Sequence, residues 1–554
     1  MKVVDASGAE VNGGLKVWLG NQKSLGSQSP ENSIFIAAVN DGWNDFGIQT
    51  LVKFKVRVQE GVPIEARGYF GFVDSKSTAG QGNGWISKKL AENNKSKVLL
   101  GGDAPFFTML PDMESYRKMV SELGAADAVS VLLAIHDLVA LTEFDQKREL
   151  LEAAQKTEVF GRSFMRNSGA YFAVKNAGPI LRGLDSERTG VLSQSLSINF
   201  KLAAFPNEHR LSFDFDHDGD LPKRMAVIIG KNGVGKSQAL GRIAKAALRG
   251  SESLTDGAAG GRPLINRLLA FAPTNEASSV FPRATGENPR IWYRRYSLNR
   301  SRARSDGDRV SDLIVQAARS EQSIGTRTRW EIFSSALSAI GESGQLSLVS
   351  SHDSSQYVSF SSLNSGPEQK RLDRFASIDL SKDPVRVIDG KGYALSSGEL
   401  SFVKFCAQVS TSVENGTLLL LDEPETHLHP NFVNRFVYLL DTLLELTGSS
   451  AIIATHSAFL VREVFREQVT ILGVDEDGFV NSSRPTLKTF GADVGAISCF
   501  VFGEDMPSRL ARQVKRKLIG GKKGWEEIYE KYKGELSLEV LADVRAQLEE
   551  RDAK

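Results

Sequence analysis

The sequence predicts an α/β fold with a mixed sheet built round a phosphate-binding loop, an α+β region before it and a helical segment after it. Three observations carry that expectation. An apolar run, residues 225–229, leads into Gly230-Lys231-Asn232-Gly233-Val234-Gly235-Lys236-Ser237, which fits G-x-x-x-x-G-K-[ST]. A helical pattern follows, with Leu240, Ile243 and Ala247 on one face and Gly250 as its stop. Two further runs, 418–421 and 451–454, end in Asp422-Glu423-Pro424 and Thr455-His456-Ser457. Such runs read as buried parallel strands, and in open α/β sheets ligands gather at the carboxyl ends of the strands.

At 554 residues the chain exceeds one core, and length suggests about three or four domains. The expected boundaries are an accessory α+β domain at 1–190, a nucleotide-binding domain at 191–500 with an inserted lid or arm at about 280–390, and a charged helical segment at 501–554. A net charge of +1 gives no global attraction to nucleic acid or membrane, so any such affinity must come from a local patch. Cys406 and Cys499 make no metal spacing, and so few cysteines suit a reducing cytoplasm. The first residues turn polar at once, and no apolar stretch is long enough to span a bilayer.

In chain order, residues 33–39 form a strand candidate. Residues 50–58 alternate, with Val52, Phe54, Val56 and Val58 on one face and Lys53, Lys55 and Arg57 on a solvated one. A turn-rich link (40–45) joins these two, and 69–73 is a third strand. After a Gly/Ser/Asn-rich stretch (75–83) the pattern becomes helical; 125–141 is apolar on one side, with His136 expected as a satisfied core histidine. Leu196, Ile198, Phe200 and Leu211, Phe213, Phe215 mark two strands ahead of the phosphate loop. Between 250 and 389 the periodicity weakens, and no heptads announce a coiled coil. Arg290, Arg294, Arg295, Arg300, Arg302 and Arg304 interleave with Trp292, Tyr293 and Tyr296. That is the composition of a DNA or RNA contact, or of a surface strand with a charged face. Arg509, Arg512, Lys515, Arg516, Lys517, Lys522 and Lys523 form a basic cluster, read as a solvated helix pair or a docking tail.

The motifs imply phosphate chemistry. The loop's backbone N–H groups can curl round phosphates at a helix N-terminus. Gly230, Asn232, Gly233, Gly235, Lys236, Ser237 and Gln238 are the expected cofactor-binding residues, with Lys236 on the β- and γ-phosphates. Ser237 and Asp422 are placed for Mg²⁺, Glu423 to polarise an attacking water, and His456 to bond the γ-phosphate or that water. Leu395-Ser396-Ser397-Gly398-Glu399 opens another helix. It reads as a capping box, or as a second phosphate contact through Ser396, Ser397 and Gly398.

Phosphate loop, LSSGE, LLLLDEP and strand-end THS, in that order over roughly 195–500, resemble the ATPase core of the ABC class. The DEPETHLHP stretch (422–430) resembles its RecF/OLD/SMC branch. The segment 489–497 and the Trp43-Asn44-Asp45-Phe46-Gly47 turn resemble the PtuA ATPase of Septu antiphage systems and Septu-bearing retrons. The resemblance implies ATP and Mg²⁺ as cofactors and a dimer sandwiching two ATPs, with Ser396, Ser397 and Gly398 acting across to the other subunit. It also implies a separate HNH-type nuclease partner and, in retrons, a DNA–RNA hybrid. His427 and His429 would be structural or at the dimer seam. No glutamine stands at 272–276, where the class has its glutamine loop. A RecF-like repair ATPase that clamps DNA is the alternative. An OLD-type nuclease is disfavoured, because Asp475-Glu476-Asp477-Gly478 reads as a hairpin turn and leaves no support for a nuclease site; a transporter subunit fits neither the N-terminal region nor DEPETHLHP.

Overall fold

The computed structural model describes residues 14–21, 30–39, 48–58, 62–73, 82, 84–92, 95–100, 105–187, 192–258, 260–273, 280–283, 289–298, 309–338, 341, 343–426, 428, 430–502, 509–521 and 523–552. The turn at 40–45, most of 75–83, the 274–276 stretch, Arg300, Arg302, Arg304, His427, His429 and Lys522 lie outside them.

The N-terminal region is a six-stranded sheet, ordered Lys97–Leu99, Lys16–Gly20, Ser33–Ala38, Leu51–Arg57, Ile64–Phe72, Phe106–Met109. Only the Lys16–Gly20/Ser33–Ala38 pair is parallel. The alternation expected around Phe54 holds: Val52, Phe54 and Val56 are fully buried. A one-residue slip would turn all three toward Lys53, Lys55 and Arg57, so burial pins the register. The basic face is only half-buried rather than solvated. The third strand begins at Ile64, five residues before its expected start. The helices from Met113 to Arg182 cover the apolar face.

The stretch 125–141, apolar on one side, forms two helices, Ala125–Ala134 and Leu138–Glu143. The break is His136, at φ 53°. Its Nδ1 lies 2.9 Å from the Phe106 carbonyl oxygen and its Nε2 2.7 Å from Lys147 Nζ, so it is the satisfied core histidine anticipated. Asp137 caps the second helix, accepting from Val139 and Ala140 N–H at 3.0 and 3.1 Å.

The central sheet has seven strands, ordered Trp292–Ser297, Arg267–Ala272, Leu418–Asp422, Ser450–Thr455, Met225–Gly230, Val469–Val474, Val480–Ser483. All neighbours are parallel except the last pair, a hairpin. This order puts the three motif strands side by side. Asp422 pairs with Ala454, and Ala454 with Ile228, two positions before Gly230. Phosphate loop, carboxylates and histidine therefore leave the sheet at one edge. Strands Ser195–Lys201 and Glu208–Asp214 join Leu254–Asp256 in a separate three-stranded sheet.

The described residues of the 280–390 region pack against the central domain. Its helices Val310–Arg319 and Arg329–Leu337 pack on the Ser397–Ser412 helix, and Leu313, Ile314 and Phe333 belong to the same core as Leu419 and Ile453. A four-stranded sheet (Leu346–Val349, Tyr357–Ser359, Val385–Ile388, Lys391–Ala394) completes it. Among its described residues the C-terminal segment forms three helices round Ile528, Val544 and Leu548. Lys515, expected on a solvated basic face, is instead buried and paired with Asp543. No described helix is long and apolar enough to cross a membrane.

Candidate functional site

The phosphate loop follows a strand buried along its whole length and opens the helix Lys236–Arg249, which Gly250 ends at φ 61°. Glycine is required at two places. Gly235 sits at φ 99°, and a Cβ there would stand 2.9 Å from Leu202 Cδ1 and 3.2 Å from His209 Nε2. A Cβ on Gly230 would run into the Leu472 carbonyl oxygen of the neighbouring strand, and backbone cannot give way as a side chain can. Gly230→Ala is expected to lower stability by about 1–3 kcal/mol and weaken nucleotide binding, checked by thermal melts with and without ATP.

His209 forms part of the loop's floor. It is buried, stacked on Phe200 at 4.8 Å, and burial pulls it below the ordinary histidine range, so the floor adds no charge. Lys236 is 6% exposed and folds back on its own loop, with Nζ donating to the carbonyls of Gly230 at 2.8 Å and Lys231 at 3.1 Å. Burial pulls it below the usual lysine range, against the opposing pull of Glu423, Asp422 and Glu425. Ser237 Oγ donates to Asp422 Oδ1 at 2.8 Å, joining loop to strand end. Burial, with Glu423 and Glu425 adding to it, pushes Asp422 up to about 6 against the Ser237 hydrogen bond.

Glu423 leaves the strand at φ 43°, in the left-handed region that non-glycine residues seldom adopt, with its N–H on the Ala454 carbonyl at 2.8 Å. Its Oε1 lies 3.3 Å from His456 Nδ1. Glu425, to which sequence reasoning gave no role, also approaches this ring, Oε1 3.8 Å from Nδ1. Glu425 is 8% exposed, accepts from the Thr455 hydroxyl and has its Oε2 without a partner among the described residues. Burial raises its carboxyl. The available signal was a second carboxylate two positions after Glu423, paired with a threonine just before His456.

Lys236, Ser237, Asp422, Glu423 and His456 thus converge. Asn232 lies exposed in the same loop, and Gln238 is exposed in the first turn of its helix. Ser396 forms the capping box: its Oγ accepts from Glu399 N–H at 3.3 Å, and Glu399 Oε2 accepts from Ser396 N–H at 2.9 Å. Arg386 holds the other oxygen of Glu399 at 2.5 Å. Ser397 and Gly398 are the first residues of that helix. Of the predicted arginines, Arg290, Arg294 and Arg295 are among the described residues. Arg294 and Arg295 are on the sheet's edge strand, where Arg294 covers Tyr296 at 5.1 Å and Arg267 covers Trp292 at 4.8 Å, so this chain's own cations occupy one face of each ring. Arg290 precedes the strand and lines a cavity at the far end of the phosphate-loop helix. Asp475 closes the hairpin, its Oδ1 accepting from Asp477 and Phe479 N–H at 3.1 and 2.8 Å. Among the described residues no cluster of His, Cys, Asp and Glu could hold a metal ion.

The donor set fits Mg-nucleotide: a hydroxyl joined to a carboxylate, a buried ammonium, and glycines at φ 85° and 99° beside it. Strand order and motif placement define an α/β fold with a phosphate loop, the strand-end carboxylates and His456 at the carboxyl ends of three neighbouring strands. Residues 225–462 match the family model described as "AAA domain, putative AbiEii toxin, Type IV TA system". Protein ea59 of Escherichia phage lambda is 28% identical over 158 residues, which is 28% of this chain and 30% of that protein. UvrABC system protein A of Chlamydia muridarum (strain MoPn / Nigg) is 36% identical over 70 residues, 13% of this chain and 4% of that one. The chain therefore spans less than a third of the length of these curated relatives. Among solved structures, UvrA2 from Deinococcus radiodurans aligns with 53% of this chain and 38% of its own at 19% identity and a TM-score of 0.26. An SMC head bound to the C-winged helix domain of ScpA aligns with 54% and 97% at 14% identity and a TM-score of 0.25. The sheet order of this chain, rather than these superpositions, is the basis for the fold.

Proposed function

We propose that the chain is an ATP-hydrolysing switch subunit that controls a separate nuclease in an antiphage defence complex. The observation that carries the ATPase reading is the Ser237–Asp422 hydrogen bond, with Glu423 and His456 3.3 Å apart beside it. When bound, Mg²⁺ supplies charge neutralisation at the phosphates; Ser237 and Asp422 would hold it. Lys236 exchanges its loop carbonyls for phosphate oxygens. Glu423 orients the water and takes its proton, and His456 bonds the water or the γ-phosphate. Glu425 fixes the strand end that carries His456.

Ser396, Ser397 and Gly398 act on the nucleotide of a second copy, so the active unit is a dimer. Mixing Lys236→Ala protein with Ser397→Arg protein should restore partial ATPase activity, because each heterodimer keeps one intact composite site. Mixed dimers that form yet hydrolyse no ATP would remove the trans role. The defence role rests on the resemblance to PtuA ATPases and on the hairpin geometry of Asp475, which offers no catalytic carboxylate pair. Purification from the native host should bring down an HNH-type nuclease, and the ATPase alone should leave plasmid, single-stranded DNA and tRNA intact with Mg²⁺ or Mn²⁺. Cleavage abolished by Asp475→Ala would make the chain its own nuclease.

The 70-residue similarity to UvrABC system protein A favours a second reading, an ATPase that clamps DNA for repair. ATPase activity stimulated by duplex DNA, with no nuclease co-purifying, would select it.

A further inference from the structure

We propose that the cavity at the carboxyl end of the phosphate-loop helix binds a nucleoside monophosphate unit, its phosphate held by Arg262 and Arg290. The cavity measures about 290 Å³ and lies where helix Ser168–Asn176 of the N-terminal region meets the last turn of helix Lys236–Arg249. That volume is at the small end for ligand sites, which run to about 300–1,000 Å³, and suits one nucleotide rather than two.

The lining divides in two. Ala246, Leu254, Ile265 and Ile291 are buried apolar walls, the setting for a base or sugar face. Against them stand two guanidiniums. Arg262 donates from Nη1 to the Met165 carbonyl at 2.6 Å and from Nη2 to the Arg166 carbonyl at 3.3 Å and Ser168 Oγ at 2.8 Å, and it lies 4.8 Å above the Tyr171 ring. These partners are all neutral. Burial pulls Arg262 below the ordinary arginine range, and Arg290 adds to that pull, so the two cations destabilise each other as they stand. Among the described residues no carboxylate pairs with either. Glu252, the one acidic group of the lining, is exposed to solvent. Arg290 also answers the dipole at the helix end, which accounts for one cation and not for both. Gly250 makes its room: a Cβ there would sit 2.6 Å from Arg290 Cδ.

Two planar forks without a counter-charge match a phosphomonoester dianion better than a single carboxylate. The same unit could come as a free mononucleotide or as the phosphorylated end of a strand, and the test separates these sources.

The test uses full-length Lys236→Ala protein, so that the phosphate loop does not bind the probe and the ATPase reading is judged separately. AMP, UMP, inorganic phosphate, adenosine and a 5′-phosphorylated tetranucleotide are titrated by calorimetry. Saturable binding of a mononucleotide or of the tetranucleotide is expected, tighter than that of phosphate or nucleoside alone. Adding Arg290→Met should weaken it at least about tenfold, the loss expected for a charge-assisted bond. Arg262→Lys, which keeps the charge and loses the fork, should weaken it too, with an unchanged melting temperature marking an intact fold. Binding by the tetranucleotide alone assigns the site to strand ends. No saturation by any probe up to about 5 mM, a dissociation constant too weak for a built site, would overturn the proposal. So would isotherms indifferent to Arg290→Met, or inorganic phosphate binding as tightly as the nucleotides.

Discussion

Glu423→Gln protein is expected to bind ATP as tightly as the unaltered chain and to hydrolyse it about 10²–10⁴-fold more slowly, the contribution of a positioned general base. That is about 3–5 kcal/mol of barrier. The backbone is the reason to single out this carboxylate among three. Asp422 is still within the strand, 5% exposed and engaged by Ser237, so its lone pairs face the loop. Glu425 is 8% exposed and bonded to Thr455, facing inward. Glu423 alone swings out at φ 43°, its side chain 30% exposed and within 3.3 Å of His456, where a water can reach it. Equilibrium binding of a fluorescent ATP analogue, beside single-turnover hydrolysis, separates binding from chemistry. Near-normal hydrolysis by Glu423→Gln would move the base to Glu425, and the Glu425→Gln protein would then carry the large defect. On the present geometry Glu425→Gln should lose less, by disturbing His456.

The parts of this site that could be read from sequence are those whose chemistry is local. Four leucines before Asp422 describe a strand buried on both faces, and a glycine loop between such a strand and a helix has one structural solution. Glu425 was hidden although it lies inside a conspicuous motif. Its partner Thr455 is thirty positions away, and only the pairing of Asp422 with Ala454 brings them together. Lys16–Gly20 and Lys97–Leu99 were missed because they are short strands at one side of their sheet, whose stability comes from neighbours rather than from an apolar period. Residues 125–141 do carry a helical stripe; what breaks the helix at His136 is the tertiary hold of Phe106 and Lys147, which no periodicity contains. Between 280 and 390 the helices Val310–Arg319 and Arg329–Leu337 have only ten and nine residues, too short for a period to rise above noise, yet Leu313 and Phe333 complete the central core.

The largest stability effect is expected where sequence is least informative, at a buried ionic junction just ahead of the Leu418–Asp422 strand. Arg117, from the N-terminal region, bonds Glu187 at 2.7–3.0 Å and Glu414 at 2.9–3.0 Å; Arg329, from the inserted region, lies 3.9 Å from Glu414. Asn415 Nδ2 and Gly325 N–H satisfy Glu187 at 2.7 and 2.9 Å. Arg117, Arg329 and Glu414 are 4%, 1% and 2% exposed, so water cannot replace a lost partner. Glu414→Gln leaves two buried cations facing one carboxylate and should lower stability by about 3–5 kcal/mol in chemical denaturation. Burial alone would raise the Glu414 carboxyl, but Arg117 and Arg329 outweigh it and hold it at about 2. Its folded value is therefore depressed below the ordinary glutamate range, and the stability it confers is present above pH ~4.3 and lost as the pH falls toward 2. The gap between unaltered and Glu414→Gln protein should accordingly narrow from about pH 5 to about pH 2, while it stays constant from about pH 6 to about pH 8. Replacing the pair together, Arg117→Met with Glu414→Leu, should recover part of the loss and give a coupling energy in the double-mutant cycle. Additive losses with no coupling would mean that the two charges do not support each other and that the N-terminal region is held to the ATPase by its apolar contacts instead.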